Sequence, residues 1–261
     1  MDCKDFGLIT VIMAAYNAEK TIEQAIDSVL SQTYPQFELI VVDDASKDQT
    51  IEIVEELAER DNRIRLIANE ENRGVSYTRK RGLDEANGLW IAILDSDDVW
   101  MPEKLEKQVQ HQKETGADII YTGSKFMDAL GKPIDRQFYV PDTISYRQLL
   151  KQNVISNSSA LVRKQLYEKY YAAGDNMHED FATWLLILKS GGFARGINEP
   201  LLIYRLSPLS KSGNKIKSAK MNWITYRYIG LNILQAAYYE AWYIRKNIIK
   251  YINILGSVPR K

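Results

Sequence analysis

Short apolar runs rich in Ile and Val recur along the first 125 residues, separated by longer segments with apolar residues every three or four positions. The short runs predict strands, and the longer spacing predicts amphipathic helices. The predicted strands are residues 8–14, 38–44, 63–68, 89–95 and 118–123. The predicted helices are residues 20–31, 48–59 and 102–115. This alternation indicates an α/β fold, a mostly parallel sheet with helices on both faces.

Polar residues follow the predicted strands at their carboxyl ends, where ligands bind in open α/β sheets. They are residues 15–17 after the first strand, 43–44 after the second, Asn69 after the third and 95–98 after the fourth. We therefore expect one crevice to collect them.

The segment ILDSDDVWMP, residues 93–102, places three carboxylates within four positions. Their mutual repulsion predicts a positive partner, and a hard divalent cation can join carboxylates to an anionic phosphate. Asp95 and Asp97 project to one side by alternation, which predicts an arm of a Mg²⁺ or Mn²⁺ site, with Asp98 either turned away or supporting the ligand shell. The alternative is an acidic turn in which Asp97 or Asp98 caps the helix that begins near Pro102.

Composition and missing motifs narrow the class of protein. The chain has 261 residues, of which 45% are hydrophobic and 26% charged, enough for one large domain with or without an appendage. The single cysteine, Cys3, and acidic residues ahead of the first apolar run predict a cytoplasmic protein rather than a secreted one. No Gly-x-Gly-x-x-Gly follows the first strand and no P-loop motif occurs, which argues against a dinucleotide dehydrogenase and a P-loop enzyme.

Charge is divided unevenly along a chain whose formal net charge is zero. Residues 211–261 contain ten lysines and arginines against one acid, Glu240, so this tail carries +9 and the other 210 residues carry −9. Such a tail predicts an anionic partner, a phospholipid surface or a phosphorylated substrate. Nucleic acid is not expected, because the cations lie in an apolar helical tail without a recognition motif.

The tail should form one or two helices, because Gly230 is the only Gly or Pro between residues 218 and 255. Its interspersed charges argue against a transmembrane helix. One alternative is an interfacial helix on anionic lipid, which would make the protein peripheral on the inner face of the plasma membrane. The other is a helix packed on the rest of the chain, or on a second subunit in a homodimer, burying Trp223, Tyr239 and Trp242.

Three segments together carry a family resemblance. They are TVIMAAYNAEKTIEQAIDSVLSQTYPQFELIVVDDASKDQT (10–50), NRGVSYTRKRGLDEANGLWIAILDSDD (72–98) and HEDFATWLLILKSG (178–191). In this order they resemble the family 2 glycosyltransferases over roughly residues 7–205. The resemblance implies a GT-A fold and an inverting enzyme that uses a nucleotide-activated sugar with Mn²⁺ or Mg²⁺.

The resemblance also implies donor-site residues. The implied nucleotide-sugar contacts are Ala14, Ala15, Tyr16, Asn17, Asp44, Arg79, Asp95, Ser96, Asp97, Arg205 and Lys211, with Asp95 and Asp97 also as metal ligands. Asp44 would accept from the uracil N3–H of a UDP-sugar, Arg79 would approach the diphosphate, and residues 200–215 would close over the donor. The alternatives are a structural turn at Asp43 and Asp44, and a solvated Arg79 on a helix face.

On the acceptor side, the resemblance implies that Asp180 is the general base. Glu179 would be an acceptor-site or supporting residue, and Trp184, one helical turn further on, could stack on the acceptor sugar. The alternatives are acids that stabilise a helix N-terminus and a Trp184 that belongs to the core.

The implied domains are a GT-A catalytic domain at 1–210, with a nucleotide-sugar half at 1–125 and an acceptor half at 126–210, and a helical tail at 211–261. The expected activity is transfer of a hexose, glucose or galactose, from a UDP-sugar to a hydroxyl of a bacterial-type lipid-linked oligosaccharide or surface polysaccharide. The alternatives are an inactive sugar-binding or scaffolding relative and a nucleotidyltransferase. The latter would show a glycine-rich basic loop after the first strand, which AAYNAEKT lacks.

Overall fold

A computed structural model of the chain describes residues 6–206 and 215–255. The strands of this part are β1 Ile9–Ala15, β2 Phe37–Asp43, β3 Ile64–Ala68, β4 Trp90–Ile93, β5 Val99–Trp100, β6 Ile119–Met127, β7 Pro133–Phe138, β8 Leu161–Arg163 and β9 Ala194–Arg205. Its α-helices are α1 Ile22–Leu30, α2 Thr50–Arg60, α3 Val75–Asp84, α4 Lys104–Thr115, α5 Tyr146–Leu149, α6 Lys164–Tyr170, α7 Glu179–Lys189, α8 Lys215–Tyr228 and α9 Ile233–Leu255. All five predicted strands and all three predicted helices are confirmed.

The strands form one sheet in the order β3-β2-β1-β4-β8-β6-β9-β5, with β7 paired to β6. β1 pairs in parallel with β2 and β4, and β2 pairs in parallel with β3. β8 is antiparallel to both β4 and β6, so β6 and its parallel partner β9 run in the direction of β1. The predicted mostly parallel sheet is confirmed, with β5, β7 and β8 as its antiparallel strands.

Two hydrophobic clusters cover the two faces of the sheet. Alternate residues of β1 divide between them: Val11 packs with α1, α2 and α4, whereas Ile12 packs with α7 and α8. This division follows from the period of two along a strand. Helices therefore lie on both faces, as predicted.

The helix α3 lies outside the predicted helices, because much of its buried face is polar and its apolar spacing is weak. It buries Thr78, Arg79 and Gly82 as well as Leu83. A Cβ at Gly82 would lie 2.7 Å from Ile12 Cγ2 and 3.3 Å from Val42 Cγ2, so glycine permits the close approach of α3 to the sheet.

The tail forms two helices that pack against α7, which confirms the packed alternative for their inner faces. The Phe181 ring centroid lies 6.1 Å from that of Tyr226 on α8 and 5.8 Å from that of Tyr243 on α9. Trp223 and Tyr239 are half-buried against the same core. Within the described ranges, no helix has the length and hydropathy that crossing a bilayer requires.

Candidate active site

Backbone hydrogen bonds join the loops that follow β1 and β2. The Asp44 N–H donates to the Ala15 carbonyl at 2.8 Å, and the Asn17 N–H donates to Ser46 Oγ at 2.9 Å. Asn17, at φ +49°, accepts from the Lys47 N–H at 2.8 Å. Left-handed backbone is tolerated by Asn, so the turn leaves Tyr16 and Asn17 exposed at this edge of the sheet.

The two adjacent aspartates of the second loop have different partners. Asp43 is buried and accepts from the Ser46 N–H at 2.8 Å and from the Ser46 hydroxyl, so the turn alternative holds for Asp43. Asp44 accepts from Asn69 Nδ2, the Arg73 N–H and the Gly74 N–H at 2.8, 2.9 and 2.8 Å. Burial alone would raise the pKa of Asp44, but these hydrogen bonds lower it below its usual value. Asp44 is therefore an ionised acceptor whose contact with uracil stays a prediction.

Arg79 on α3 joins the two sides of the site. Its Nη2 donates to Asp95 at the end of β4, and its Nη1 donates to Glu179 at the start of α7. With its amide oxygen toward Arg79, Asn157 accepts from Nη2 at 3.1 Å and from Nε at 3.2 Å. Burial lowers the pKa of Arg79, but Asp95 and Glu179 raise it well above its usual value. We call Asp95–Arg79–Glu179 the bridge.

The bridge corrects two predicted roles. Arg79 was predicted to approach the diphosphate, but its guanidinium is buried and its donors are directed at carboxylates and Asn157. Glu179 was predicted to touch the acceptor, but it is only 5% exposed and is paired with Arg79, so the supporting alternative holds. Both residues therefore hold other side chains of the site in position.

The acids after β4 repel one another. Burial, and then the charge of Asp95, raise the pKa of Asp97 to about 6, while Arg205 and Arg79 oppose that rise. Asp98 is buried, and burial together with Asp95 and Asp97 raises its pKa well above the usual value. The Asp98 Oδ1 atom accepts from the Arg205 N–H at 2.9 Å, which agrees with its predicted supporting position. Ser96 is half-buried between Asp95 and Asp97.

Arg205 was predicted to contact the donor diphosphate, and the structure gives it another role. Its Nε donates to the Asp97 carbonyl at 2.7 Å and its Nη2 donates to Gln24 Oε1 at 2.8 Å. It is 6% exposed and holds the backbone of the loop at residues 95–98, which we call the acidic loop. Lys211, the other predicted cation of this segment, lies outside the described residues.

The α7 N-terminus carries Asp180 beside the bridge. Burial, and then the adjacent charge of Glu179, raise the pKa of Asp180, while His178 and Arg79 act in the opposite direction. His178 is fixed by its N–H, which donates to Thr225 Oγ1 at 3.1 Å, and by its ring Nε2, which lies 3.2 Å from the Ser218 carbonyl oxygen. A half-buried carboxyl with a raised pKa has the properties of a general base.

Trp184 was predicted to stack on the acceptor sugar, and this prediction is wrong. Its side chain is fully buried and stacks on Tyr167 with ring centroids 5.6 Å apart. The core alternative holds because α7 is covered on this face by α6 and the tail.

The site contains residues that sequence reasoning did not select. Ser158 Oγ accepts from the Asp95 N–H at 3.2 Å, and Asn157 contacts Arg79. Both lie in a short 3₁₀ turn, Asn157–Ser159, that precedes β8. The only local signal was the polar run SNSS in an otherwise apolar stretch.

The acidic loop fits a hard divalent ion as part of a ligand set. It offers carboxylate oxygens, and a cation would relieve the repulsion that raises the pKa of Asp97. In the part of the chain that the structure describes, no group of three His, Cys, Asp or Glu side chains is arranged to hold a metal. Other ligands would have to complete the coordination.

Known proteins resemble this chain in sequence and in fold. The Glycosyl transferase family 2 model matches residues 10–170. TuaG of Bacillus subtilis (strain 168), a candidate teichuronic acid biosynthesis glycosyltransferase, is 37% identical over 93% of this chain and 96% of its own length. The UDP-Glc:alpha-D-GlcNAc-diphosphoundecaprenol beta-1,3-glucosyltransferase WfgD of Escherichia coli is 36% identical, over 95% and 96% respectively.

Two solved structures share the fold at 20% sequence identity. S. aureus TarS 1–349 in complex with UDP-GlcNAc has a TM-score of 0.70 over 90% of this chain and 71% of that chain. The mannosyltransferase PcManGT of Pyrobaculum calidifontis, in complex with GDP-Man and Mn²⁺, has a TM-score of 0.65 over 96% and 76%. The chain therefore has the GT-A fold and belongs to glycosyl transferase family 2.

Proposed function

We propose that this protein is an inverting glycosyltransferase that moves a hexose, glucose or galactose, from a UDP-sugar to a hydroxyl of a lipid-linked oligosaccharide or surface polysaccharide. The relative WfgD carries UDP-Glc and a diphosphoundecaprenol-linked sugar in its name. The E. coli glucosyltransferase WfaP has the same named activity and is 33% identical over 94% of this chain. These names support glucose as the first donor to test.

The observation that carries the proposal is the bridge. Through Arg79, one ion pair reaches Asp95 of the acidic loop and another reaches Glu179, the neighbour of Asp180. The charge of Arg79 acts on the pKa of both Asp97 and Asp180. These contacts support the proposal that a donor-side acid and a proton acceptor belong to one site, as a single displacement requires.

In the proposed reaction, the acceptor hydroxyl oxygen forms a bond to the anomeric carbon of the sugar. The bond from that carbon to the diphosphate oxygen breaks with its electron pair, and UDP leaves. Asp180 takes the hydroxyl proton as the new bond forms, since a base matched to the working pH is the efficient one. Attack from the face opposite the leaving group inverts the anomeric configuration.

We propose that Asp95 and Asp97 hold Mn²⁺ or Mg²⁺ together with the donor diphosphate. The ion would neutralise the negative charge that grows on the departing UDP. Arg79 donates to Asp95 and orients its carboxylate, and Arg205 holds the Asp97 backbone through the Asp97 carbonyl. Asp98 supports the same loop.

For the nucleoside, we propose that residues 14–17 line its pocket and that Asp44 accepts a hydrogen bond from the base. Asp44 accepts from Asn69 Nδ2, the Arg73 N–H and the Gly74 N–H, and in this proposal the same carboxylate also accepts from the base. A UDP-sugar offers the uracil N3–H as that donor.

We further propose a catalytic domain at 1–210, with donor and acceptor halves at 1–125 and 126–210, and a tail at 211–261. Association of that tail with the inner face of the plasma membrane would suit a lipid-linked acceptor. The lone cysteine fits a reducing compartment.

The test is a donor and acceptor screen on the purified full-length chain with Mn²⁺ or Mg²⁺. We expect UDP-glucose or UDP-galactose to raise the unfolding temperature, and transfer to appear when a short-chain GlcNAc-diphospho-lipid is added. Anomeric NMR of the product should show inversion. If no nucleotide sugar protects the protein, with or without metal, the donor assignment fails.

The same screen separates the alternatives. Protection by a donor without transfer to any acceptor would indicate a sugar-binding relative that lacks catalysis. Release of diphosphate from UTP and a sugar 1-phosphate would indicate a nucleotidyltransferase.

A further inference from the structure

A cavity of about 430 Å³ lies between α5 and the beginning of α9, and it shares no lining residue with the bridge or the acidic loop. Its polar lining consists of Tyr146, Arg147, Lys151, Gln235, Tyr238 and Tyr239. Two cations and three phenols around one cavity are a donor-rich lining, since lysine and arginine carry donors only.

In the described part of the chain, one of these donors is unpaired and the two cations are not neutralised by an acid. The Tyr146 hydroxyl is buried and has no hydrogen-bond partner among the described residues. Within the same ranges, neither Arg147 nor Lys151 forms a salt bridge. A buried unpaired hydroxyl costs free energy unless a ligand or water satisfies it. The cavity is thus suited to a ligand that presents several acceptor oxygens and a negative charge.

The outer face of α9 continues from this cavity as an exposed apolar stripe. Leu234, Ala237, Tyr238, Ala241 and Ile244 recur at helical spacing on it. Leu234 is 82% exposed, Tyr238 52% and Ile244 44%. The opposite face, with Ala236, Tyr239 and Tyr243, packs on the core, so α9 is apolar on two faces.

Cations flank the stripe, and the only acid of the tail is turned away from them. Trp242 lies between Lys151, whose Nζ is 5.1 Å from the ring centroid, and Arg245, whose Cζ is 5.3 Å from it. Glu240 accepts from Asn222 Nδ2 on α8 at 2.7 Å, and burial raises its pKa to about 7. Tryptophan beside cations is typical of a surface at headgroup depth.

We propose that the cavity binds the phosphate headgroup of an anionic phospholipid, and that the stripe on α9 lies in the interfacial layer of the same bilayer. The phosphate oxygens would accept from the Tyr146 hydroxyl, Arg147 and Lys151. Charge complementarity selects this occupant over a neutral apolar partner.

The inference deepens the proposed function and rests on its lipid-linked acceptor. Tyr243 of α9 contacts Phe181, the residue that follows the proposed base Asp180. A membrane-bound α9 would therefore hold the acceptor side of the site near the surface that carries the acceptor.

The test is flotation of the full-length chain with phosphatidylcholine vesicles, with and without phosphatidylglycerol, in the absence of donor, acceptor and metal. We expect binding to require phosphatidylglycerol and to weaken with salt. Arg147→Gln with Lys151→Gln should lower partitioning about thirtyfold, from roughly one kcal/mol per cation. The matched control, Lys113→Gln with Lys132→Gln, removes the same charge from α4 and the β6–β7 turn and should bind as the wild type does.

Two more variants separate the cavity from the stripe. Tyr146→Phe should weaken binding severalfold without lowering the unfolding temperature, because it removes only an unpaired hydroxyl. Leu234→Ser with Ile244→Ser should weaken binding even at low salt.

Equal losses for the two charge pairs would overturn the headgroup site, and no flotation would overturn the whole proposal. So would a homodimer that Leu234→Glu dissociates, or a thermal shift with inorganic phosphate when no vesicle binds. Transfer to a short-chain acceptor in detergent does not require a bilayer, so failure of flotation and failure of the transferase proposal are distinguishable.

Discussion

Two groups of acids face each other across Arg79 and differ in how their charge is balanced. The loop after β4 holds three carboxylates, with Arg79 and Arg205 as the cations that lower the pKa of Asp97. The start of α7 holds two carboxylates, Glu179 and Asp180, with Arg79 and His178 nearby. Arg79 pairs with one acid of each group and leaves Asp97 and Asp180 outside its ion pairs.

The difference separates two kinds of chemistry. The three acids of the acidic loop lie near two arginines that also bond to other residues. The loop therefore retains excess negative charge, which a divalent cation would neutralise. At the start of α7, burial and then the charge of Glu179 raise the pKa of Asp180, which suits its proposed role as a base. One buried arginine thus pairs with one acid of each group and leaves the adjacent acid outside the ion pair.

The largest effect on activity is expected from removing the proposed base, Asp180, on the α7 side of the comparison. We expect Asp180→Asn to slow transfer about 10²- to 10⁴-fold, because no carboxylate then accepts the hydroxyl proton. Wild-type activity should rise with pH through the raised pKa of Asp180, and the variant should lose that step. Asp135→Asn, at an exposed position of β7, is the control for both assays. Full activity in Asp180→Asn would remove Asp180 from catalysis.

Removing the shared cation should disturb both groups at once. We expect Arg79→Met to lower the free energy of unfolding by about 3–5 kcal/mol, because Asp95 and Glu179 lose their buried counter-ion. Adding Glu179→Gln should restore part of the loss in denaturant titrations. Lys80→Met, which breaks the exposed Lys80–Asp84 pair on the same helix, should cost less than about 1 kcal/mol. Equal effects of the two single variants would contradict the bridge.

Excess charge in the acidic loop can be tested through pH. The folded pKa of Asp97, about 6, lies above its ordinary value of 3.8, so this group lowers stability as pH rises between those values. At pH 8 and without metal, we expect Asp97→Asn to raise the unfolding temperature by a few degrees, on the order of 2–4 °C per kcal/mol. The gain should vanish near pH 4, and Mn²⁺ should stabilise only the wild type. A variant that is less stable at pH 8 would argue against the repulsion.

The smallest effect on activity is expected at Trp184, which shares α7 with Asp180 but belongs to the core. Trp184→Phe should lower the free energy of unfolding by about 1–2 kcal/mol through lost packing on Tyr167. The KM for acceptor should stay unchanged in steady-state assays. A large rise in KM at unchanged stability would restore the sugar-stacking role.

Sequence reasoning worked well for the elements of the donor half. Strands β1, β2 and β4 are apolar runs buried on both faces, and their ends carry the polar residues that form the site. It missed α3, whose buried face uses Thr78, Arg79 and Gly82, because apolar periodicity does not record a helix that packs through polar and small residues.

It also misassigned several charged and aromatic side chains. Arginine and glutamate often contact ligands, but Arg79, Arg205 and Glu179 each bond to a partner distant in sequence. Trp184 lies one helical turn from Asp180, as a residue that stacks on the acceptor sugar would, but Tyr167 of α6 stacks on it instead. Local patterns cannot reveal such partners, which for Arg205 include Gln24, 181 positions away.

By itself, the sequence determined the α/β architecture, the edge of the sheet where the polar residues meet, and the acidic loop, because these depend on periodicity and on neighbours along the chain. Only the tertiary structure decided which charges are neutralised and which stay reactive. That choice depends on a single buried guanidinium lying between a strand end and a helix start, and the free energy of such pairs depends on distance and burial.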